Sequence, residues 1–194
     1  MIRNVIRAAL TTVVLAVITG LLYPLVMTGV AQVAFRAKAY GSLVKADGRT
    51  VGSSLIGQQW TGAQWFYGRP SAASYDAAGS SGSNLGPLSR TLARDIEKRV
   101  GAIQKIDGPY HPGLVAAQIP VDLLTASASG LDPDISPAAA YFQAPRIAAV
   151  RDLPLTTVCQ LIADHTEGRT LGFLGEPRIN VLELNLALQA MGRR

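Results

Sequence analysis

From Ala8 to Phe35 the chain runs for 28 residues without a charged side chain, AALTTVVLAVITGLLYPLVMTGVAQVAF. No other feature limits the fold as much. Wound as a helix at roughly 1.5 Å per residue, the run reaches about 40 Å, against roughly 30 Å of bilayer hydrocarbon. That is long enough to span with some tilt. Pro24 lies within it, between Gly20 and Gly29. A soluble helix would suffer there, whereas spanning helices accept such residues where neighbours re-satisfy the freed backbone. The small residues also admit a second helix at close range. A cleaved leader is the competing reading, because Arg3 and Arg7 supply a positive start and VAQVA is rich in small residues. Leader cores run about 7–15 apolar residues, so length favours a retained anchor over residues 1–36, its helix at 8–33.

The anchor accounts for the high apolar content, 48% hydrophobic against 16% charged residues. Setting Arg3 and Arg7 aside from the 18 basic residues leaves 16 against all 13 acidic ones, a net +3 for the remainder. No Lys/Arg run or basic-aromatic stripe occurs, which argues against nucleic acid as a partner. Cys159 is the only cysteine, so intrachain disulfides and cysteine-rich zinc sites are excluded. Arg3 and Arg7 precede the span, and Arg36, Lys38, Lys45 and Arg49 follow it. Charge alone leaves the topology open, since large domains translocate largely regardless of it.

A polar connector over residues 37–51 leads to one domain over 52–194. Gly52 to Pro87 is rich in turn residues and holds Trp60, Trp65, Phe66, Tyr67 and Tyr75. Short strands are expected at Ser54–Ile56 and Gln64–Phe66, with Gly and Pro forbidding longer ones. Leu92, Ile96, Val100 and Ile103 repeat at helical spacing and predict an amphipathic helix from Leu88 to Ile106, stopped by Asp107-Gly108-Pro109. Ile119–Leu124 reads as a short buried strand or turn. Ser136 is a good N-cap with Pro137 at the first helical position, and Pro145 is expected to kink or break that helix. A further helix is expected over Leu155–Thr166, ended by a left-handed Gly168. Pro177 opens the last segment, where Val181, Leu184 and Leu188 fit a helical face and alternate leucines fit a strand equally. The fold class is α+β: one transmembrane helix, then a compact helix-rich domain with a few short strands.

The search for reacting groups returns little. His111 and His165 are far apart in sequence; the first reads as a turn residue, the second as a helix C-terminal residue favourable to the dipole. No G-x-S-x-G elbow occurs. Asp132 and Asp134 flank Pro133, which suits a turn better than a metal site. The stretch LTASASGLDPDISPAAA, Leu124 to Ala140, has the small residues of a phosphate cradle. It lacks the lysine of a P-loop, however, and no lysine follows Lys105. An anchored hydrolase is disfavoured because no nucleophile, base and orienting group can be assembled.

The ordered blocks SSLIGQ (53–58), FYGRPSAASYD (66–76), SGSNLGP (81–87), LLTASASGLDPDISPAAA (123–140), QAPRIAAVR (143–151) and HTEGRTLGFLGEPRINVLELNLAL (165–188) follow the N-terminal span. Together they resemble the C subunit of the bacterial Kdp-type potassium-transporting P-type ATPases, over essentially the whole chain. The resemblance implies a non-catalytic subunit of a high-affinity ATP-driven potassium importer. Its implied partners are a channel-like potassium-translocating subunit, a phosphorylated ATPase subunit and a small stabilising subunit, besides membrane lipid. It implies a single pass through the bacterial inner membrane, with a cytoplasmic N-terminus and an extracytoplasmic domain.

The implied role is to stabilise the assembly and to act as a catalytic chaperone that raises ATP affinity of the ATPase subunit. No tightly bound cofactor is implied; ATP enters through the complex. The alternative is a nucleotide-binding regulator touching ATP directly, through residues matched as Ser127, Ser129, Gly130 and Gln143. An extracytoplasmic domain would meet no cellular ATP, so a coupling transmitted through partners is favoured. The expected partner interface is Trp65, Phe66, Tyr67, Arg69, Tyr75 and Asn84, residue types enriched at interaction hot spots in the aromatic and arginine cases.

Overall fold

The computed structural model describes residues 1–192 as two units, Met1–Leu43 and Val44 onward. The first is dominated by one long helix, α1 (Ile2–Ala34), which is long and apolar enough to cross a membrane. Its middle turn, Ile18–Leu22, is π-helical, and the Tyr23 N–H reaches back five residues to the Ile18 carbonyl. This widened turn directly precedes Pro24. Proline brings no donor and its ring crowds the carbonyl four residues earlier, so a local change of helical register accommodates it. Thr11, Thr12 and Thr19 turn their hydroxyls onto carbonyls four residues back, at 2.9, 2.9 and 2.7 Å. An otherwise apolar helix thus leaves these hydroxyls satisfied.

Where a polar connector is expected, β1 (Leu43–Ala46) and β2 (Arg49–Ser53) pair as a hairpin. Asp47 and Gly48 link them, both with positive φ, at 50° and 75°. A two-residue turn of this kind matches the right-handed twist of its strands. The Asp-Gly dipeptide was the legible signal.

The second unit is built on α2 (Arg90–Ile106), the short α3 (Val121–Leu124), α4 (Pro137–Arg151), α5 (Leu155–Asp164) and α6 (Val181–Met191). Strands β3 (Asp134–Ile135) and β4 (Ile179–Asn180) pair antiparallel, Asp134 opposite Asn180 and Ile135 opposite Ile179. Its core gathers Ile135, Ala140, Ala144, Ile147, Val158, Ile162, Leu184 and Leu188.

Several expectations change. Neither Ser54–Ile56 nor Gln64–Phe66 forms a strand; of the two alternatives for Ile119–Leu124, strand or turn, the segment ends in the helical turn α3. Helix α4 continues unbroken through Pro145. Proline deprives the Tyr141 carbonyl of its helical donor, but Ala140, Gln143, Ala144, Arg146, Ile147 and Ala148 are buried around it, and that packing holds the helix together. Helix α5 ends at His165, with Thr166 Oγ1 donating to the Ile162 carbonyl at 2.7 Å; Gly168 is not left-handed. Helix α6 is capped by Asn180 rather than opened by Pro177, because residues Ile179–Asn180 are drawn into β4.

Helix α4 starts as expected at Ser136-Pro137, and α2 starts two residues later than expected, behind Ser89. Ser89 and Ser136 accept from the amides of Leu92 and Ala139 at 3.4 and 3.1 Å. Replacing Ser136 by Ala should lower the unfolding free energy by about 1 kcal/mol. Denaturant titration of the full chain in detergent, followed by tryptophan emission, measures this as a lower midpoint at unchanged slope.

Candidate functional site

Loop 63–75 carries Trp65, Phe66, Tyr67 and Tyr75, and buried polar groups hold it from beneath. Asn185 of α6 is fully buried. Its Oδ1 accepts from the Phe66 N–H at 2.9 Å, and its Nδ2 donates to the Phe66 carbonyl at 2.9 Å. Gln143 of α4 repeats the arrangement one residue on. Its Oε1 accepts from the Tyr67 N–H at 2.8 Å, while its Nε2 donates to the carbonyls of Tyr67 and Ala139, both at 3.2 Å. Two side-chain amides thus do for residues 66–67 what a neighbouring strand would otherwise do.

Arg146, one turn beyond Gln143, is 0% exposed. Its Nε donates to Asp107 at 2.7 Å, and its Nη2 donates to Gln143 Oε1 at 2.9 Å. Its Nη1 serves the carbonyls of Ala63 and, at 3.0 Å, Trp65. The guanidinium also lies over the Tyr67 ring, 4.6 Å from its centroid. Arginine suits this place because a planar fork can serve a carboxylate and several carbonyls together. Burial pushes the Asp107 carboxyl above its ordinary range, and the Arg146 charge and hydrogen bond pull it back. On the outer side, Arg151 sits over the Trp65 ring at 4.5 Å, and Trp65 packs against Trp60 with centroids 5.1 Å apart.

The rest of the loop is tied to the serine-glycine stretch. Arg69 pairs with Asp132 at 3.1 Å, and Ser71 Oγ donates to the Gly130 carbonyl at 2.6 Å. The Ser127 N–H reaches the Pro70 carbonyl at 3.1 Å, and Ser80 Oγ reaches that of Ser129 at 2.9 Å. Gly130 has φ +69, and a Cβ there would lie 2.6 Å from the Ser81 carbonyl oxygen. Gly82 faces the same crossing, where a Cβ would lie 2.7 Å from the Ala128 oxygen. Small residues in LTASASGLDPD therefore let two loops of the same chain touch. Asp132 Oδ1 also accepts from the Asp134 N–H, and Asp134 pairs with Arg178 at 3.2 Å. Turn formation and ion pairing account for both aspartates.

The Tyr75 phenol donates to the Arg69 carbonyl. Its pKa is pushed up to about 12, first by burial, then by the Asp132 charge, against the opposing pull of Arg69.

Among the residues matched to nucleotide contact, Gln143, Ser127 and Gly130 are buried and only Ser129 is exposed. Among those assigned to a partner interface, Phe66 is fully buried in the core. Trp65, Tyr67, Arg69 and Tyr75 are half-buried along one loop, and Asn84 is exposed with φ 51°. Sequence reasoning missed Arg146, Asp107 and Asn185. A charged or amide residue on an otherwise apolar helical face was the available signal, Asn185 standing between Leu184 and Leu188 and Arg146 beside Ile147. His111 caps a short turn and stacks on Phe142 at 4.6 Å, with Nε2 bonded to the Phe142 carbonyl at 2.8 Å.

One span-length apolar helix ahead of one folded α+β domain defines a membrane-associated protein with, among the described residues, one candidate N-terminal transmembrane helix. The chain belongs to the KdpC family, the c chain of the K+-transporting ATPase, which it matches over residues 5–190. It is 52% identical over 194 aligned residues to the potassium-transporting ATPase KdpC subunit of Gemmatimonas aurantiaca, covering 98% of this chain and 94% of that protein. The corresponding subunit of Acidobacterium capsulatum is 53% identical over 186 residues, covering 95% and 96%. That of Variovorax paradoxus is 54% identical over 192, covering 97% of each.

Two outcomes follow from the site. Asn185→Leu keeps the volume but orphans the Phe66 N–H and carbonyl, and should cost ~2–4 kcal/mol in denaturant unfolding. The Tyr75 phenol has a raised folded pKa, so its stabilisation is complete below about pH 10, the ordinary phenol value. It is lost as pH climbs towards about 12. The decline in thermal midpoint over that window should be shallower in Tyr75→Phe.

Proposed function

We infer that this chain is a non-catalytic subunit that stabilises the potassium pump and raises ATP affinity of its ATPase subunit indirectly, as a catalytic chaperone. One observation carries the reading. Loop 63–75 is fixed from within by Asn185, Gln143 and Arg146, which leaves Trp65, Tyr67, Arg69 and Tyr75 along its accessible side. A pre-organised loop of aromatic and arginine side chains loses little entropy on docking. Asn84, in the adjoining loop, belongs to the same proposed interface. Its partners are the channel-like subunit first, with the ATPase subunit and the small stabilising subunit in the same assembly. The domain lies on the extracytoplasmic side of the inner membrane, with the N-terminus of α1 in the cytoplasm.

The indirect route to ATP affinity is supported by what Gln143 already does. Nucleotide contact through its amide would have to break its bonds to Tyr67, Ala139 and Arg146, leaving several buried groups unpaired at about 1–3 kcal/mol each. A coupling free energy of about 1–3 kcal/mol, passed through the partner subunits, needs no such rearrangement.

The interface is tested by co-purification of the pump with Arg69→Ala or Tyr67→Ala. Weaker recovery of the channel-like subunit, with normal folding of the purified variant, is the expected result; unchanged recovery contradicts the docking face. Calorimetry of the full chain in detergent with millimolar ATP should give no binding heat, while the complex lacking this subunit should need several-fold more ATP for half-maximal turnover.

A further inference from the structure

Residues 167–178 form an irregular hairpin, bridged at Glu167–Arg178 and at Thr170–Leu174. Its base runs directly into β4, where Ile179 is fully buried, so the hairpin stands on the core. Its tip, TLGFLG over residues 170–175, carries no charged side chain. Leu171, Phe173 and Leu174 are exposed by 78%, 69% and 50%. Single exposed apolar residues are ordinary, but large ones gathered at one hairpin tip mark a contact surface.

The backbone is shaped to present them. Leu171 is left-handed, with φ 55°, ahead of Gly172 at 82°. A leucine rarely adopts that conformation, and its exposed side chain gains little packing within the domain to offset the cost.

The polar groups of the tip separate lipid from a protein partner. The Thr170 and Leu174 N–H groups donate to each other's carbonyls, both at 2.9 Å. The Gly172 N–H reaches the Arg169 carbonyl at 3.0 Å, and the Phe173 N–H reaches that of Thr170 at 3.3 Å. An apolar medium requires backbone groups satisfied internally, whereas a segment that pairs with a protein edge keeps them free. Below the tip, charge is cancelled in an exposed collar. Arg169 pairs with Glu176 at 2.7 Å and Arg178 with Glu167 at 2.6 Å. Such a collar suits the headgroup layer, with the arginine stems lying along its apolar side.

The chain also carries its own bilayer contact. Helix α1 is long and apolar enough to cross a membrane, and residues 35–42 join it to β1. Fully extended, that link spans at most about 28 Å. The domain therefore meets lipid at the high effective concentration that a short tether gives.

We propose that the 170–175 tip inserts Leu171, Phe173 and Leu174 into the headgroup–acyl boundary of the bilayer that anchors the chain. It is a second, reversible membrane contact, independent of loop 63–75. Because the collar carries no net charge, neutral lipid suffices.

Thr170→Cys in a Cys159→Ser background takes an environment-sensitive fluorophore beside the tip and keeps its apolar side chains. With the labelled full chain in phosphatidylcholine vesicles, a nitroxide near the head of the acyl chain should quench the label strongly and aqueous iodide weakly. The same label at Gln104→Cys, exposed on α2, should show the reverse. Phe173→Glu should lower the lipid quenching several-fold and Leu171→Ser by a smaller factor, with far-UV dichroism checking that each variant is folded. Iodide quenching as strong at 170 as at 104, or lipid quenching unmoved by both substitutions in folded protein, overturns the insertion. Replacing part of the phosphatidylcholine by phosphatidylglycerol should change nothing; a requirement for the anionic lipid overturns the apolar mechanism. The labelled chain is then assembled into the purified pump in the same vesicles, where lipid quenching should persist. Protection from iodide without lipid quenching there would mean that a partner subunit covers the tip, and overturns the lipid assignment.

Discussion

The charge pair between Arg146 and Asp107 underlies the rest of the domain. Arg146 is entirely removed from water, and a lone buried guanidinium would be too costly to keep. Asp107 supplies the countercharge at 2.7 Å, and Gln143, Ala63 and Trp65 take further donors. That pairing joins the C-terminal end of α2, where Asp107 is the cap residue, to the middle of α4 and to loop 63–67. Three segments distant in sequence are fixed at one point. Replacing both charges by apolar groups is often tolerated in proteins, whereas removing one partner is costly. The arrangement here does more than pair charges, because the same arginine also satisfies loop carbonyls that have no strand beside them.

The consequence is a surface loop with an interior anchor. Phe66 is the apolar part of that anchor, sunk in the core, and Asn185 and Gln143 are the polar part. Loops usually carry function because they are accessible, at the cost of being mobile. This one keeps accessible side chains on a backbone held by buried groups. The same logic governs the serine-glycine stretch, whose small residues are consumed by contact with loop 67–82. Binding energy at such a surface is not spent on ordering it.

Much of the helical skeleton was legible in the sequence. The uncharged run from Ala8 to Phe35, the Ser136-Pro137 start and the Leu92–Ile103 repeat each encode local structure through local chemistry. The opposite choice at α6, helix or strand, was undecidable from Val181, Leu184 and Leu188 alone; burial of Asn185 among them settles which face turns inward. Expectations failed where tertiary contact overrides propensity. Gln64–Phe66 reads as a short strand within a turn-rich stretch, yet the Phe66 N–H and the Gln64 and Trp65 carbonyls are bonded by side chains of residues more than 80 positions away. Pro145 reads as a break, yet the packed face of α4 carries the helix through. The pairing of Arg146 with Asp107 had no local signature: an arginine on the apolar face of α4 stands out, but not the remote carboxylate that it meets.

The most direct test is native-state hydrogen exchange at the Phe66 and Tyr67 amides in the full chain, with and without ATP. These two N–H groups are held by Asn185 and Gln143. The account predicts that both exchange only through global opening and that ATP leaves their protection unchanged. Rapid exchange typical of a free surface loop, or a selective change at Tyr67 when ATP is added, would contradict it.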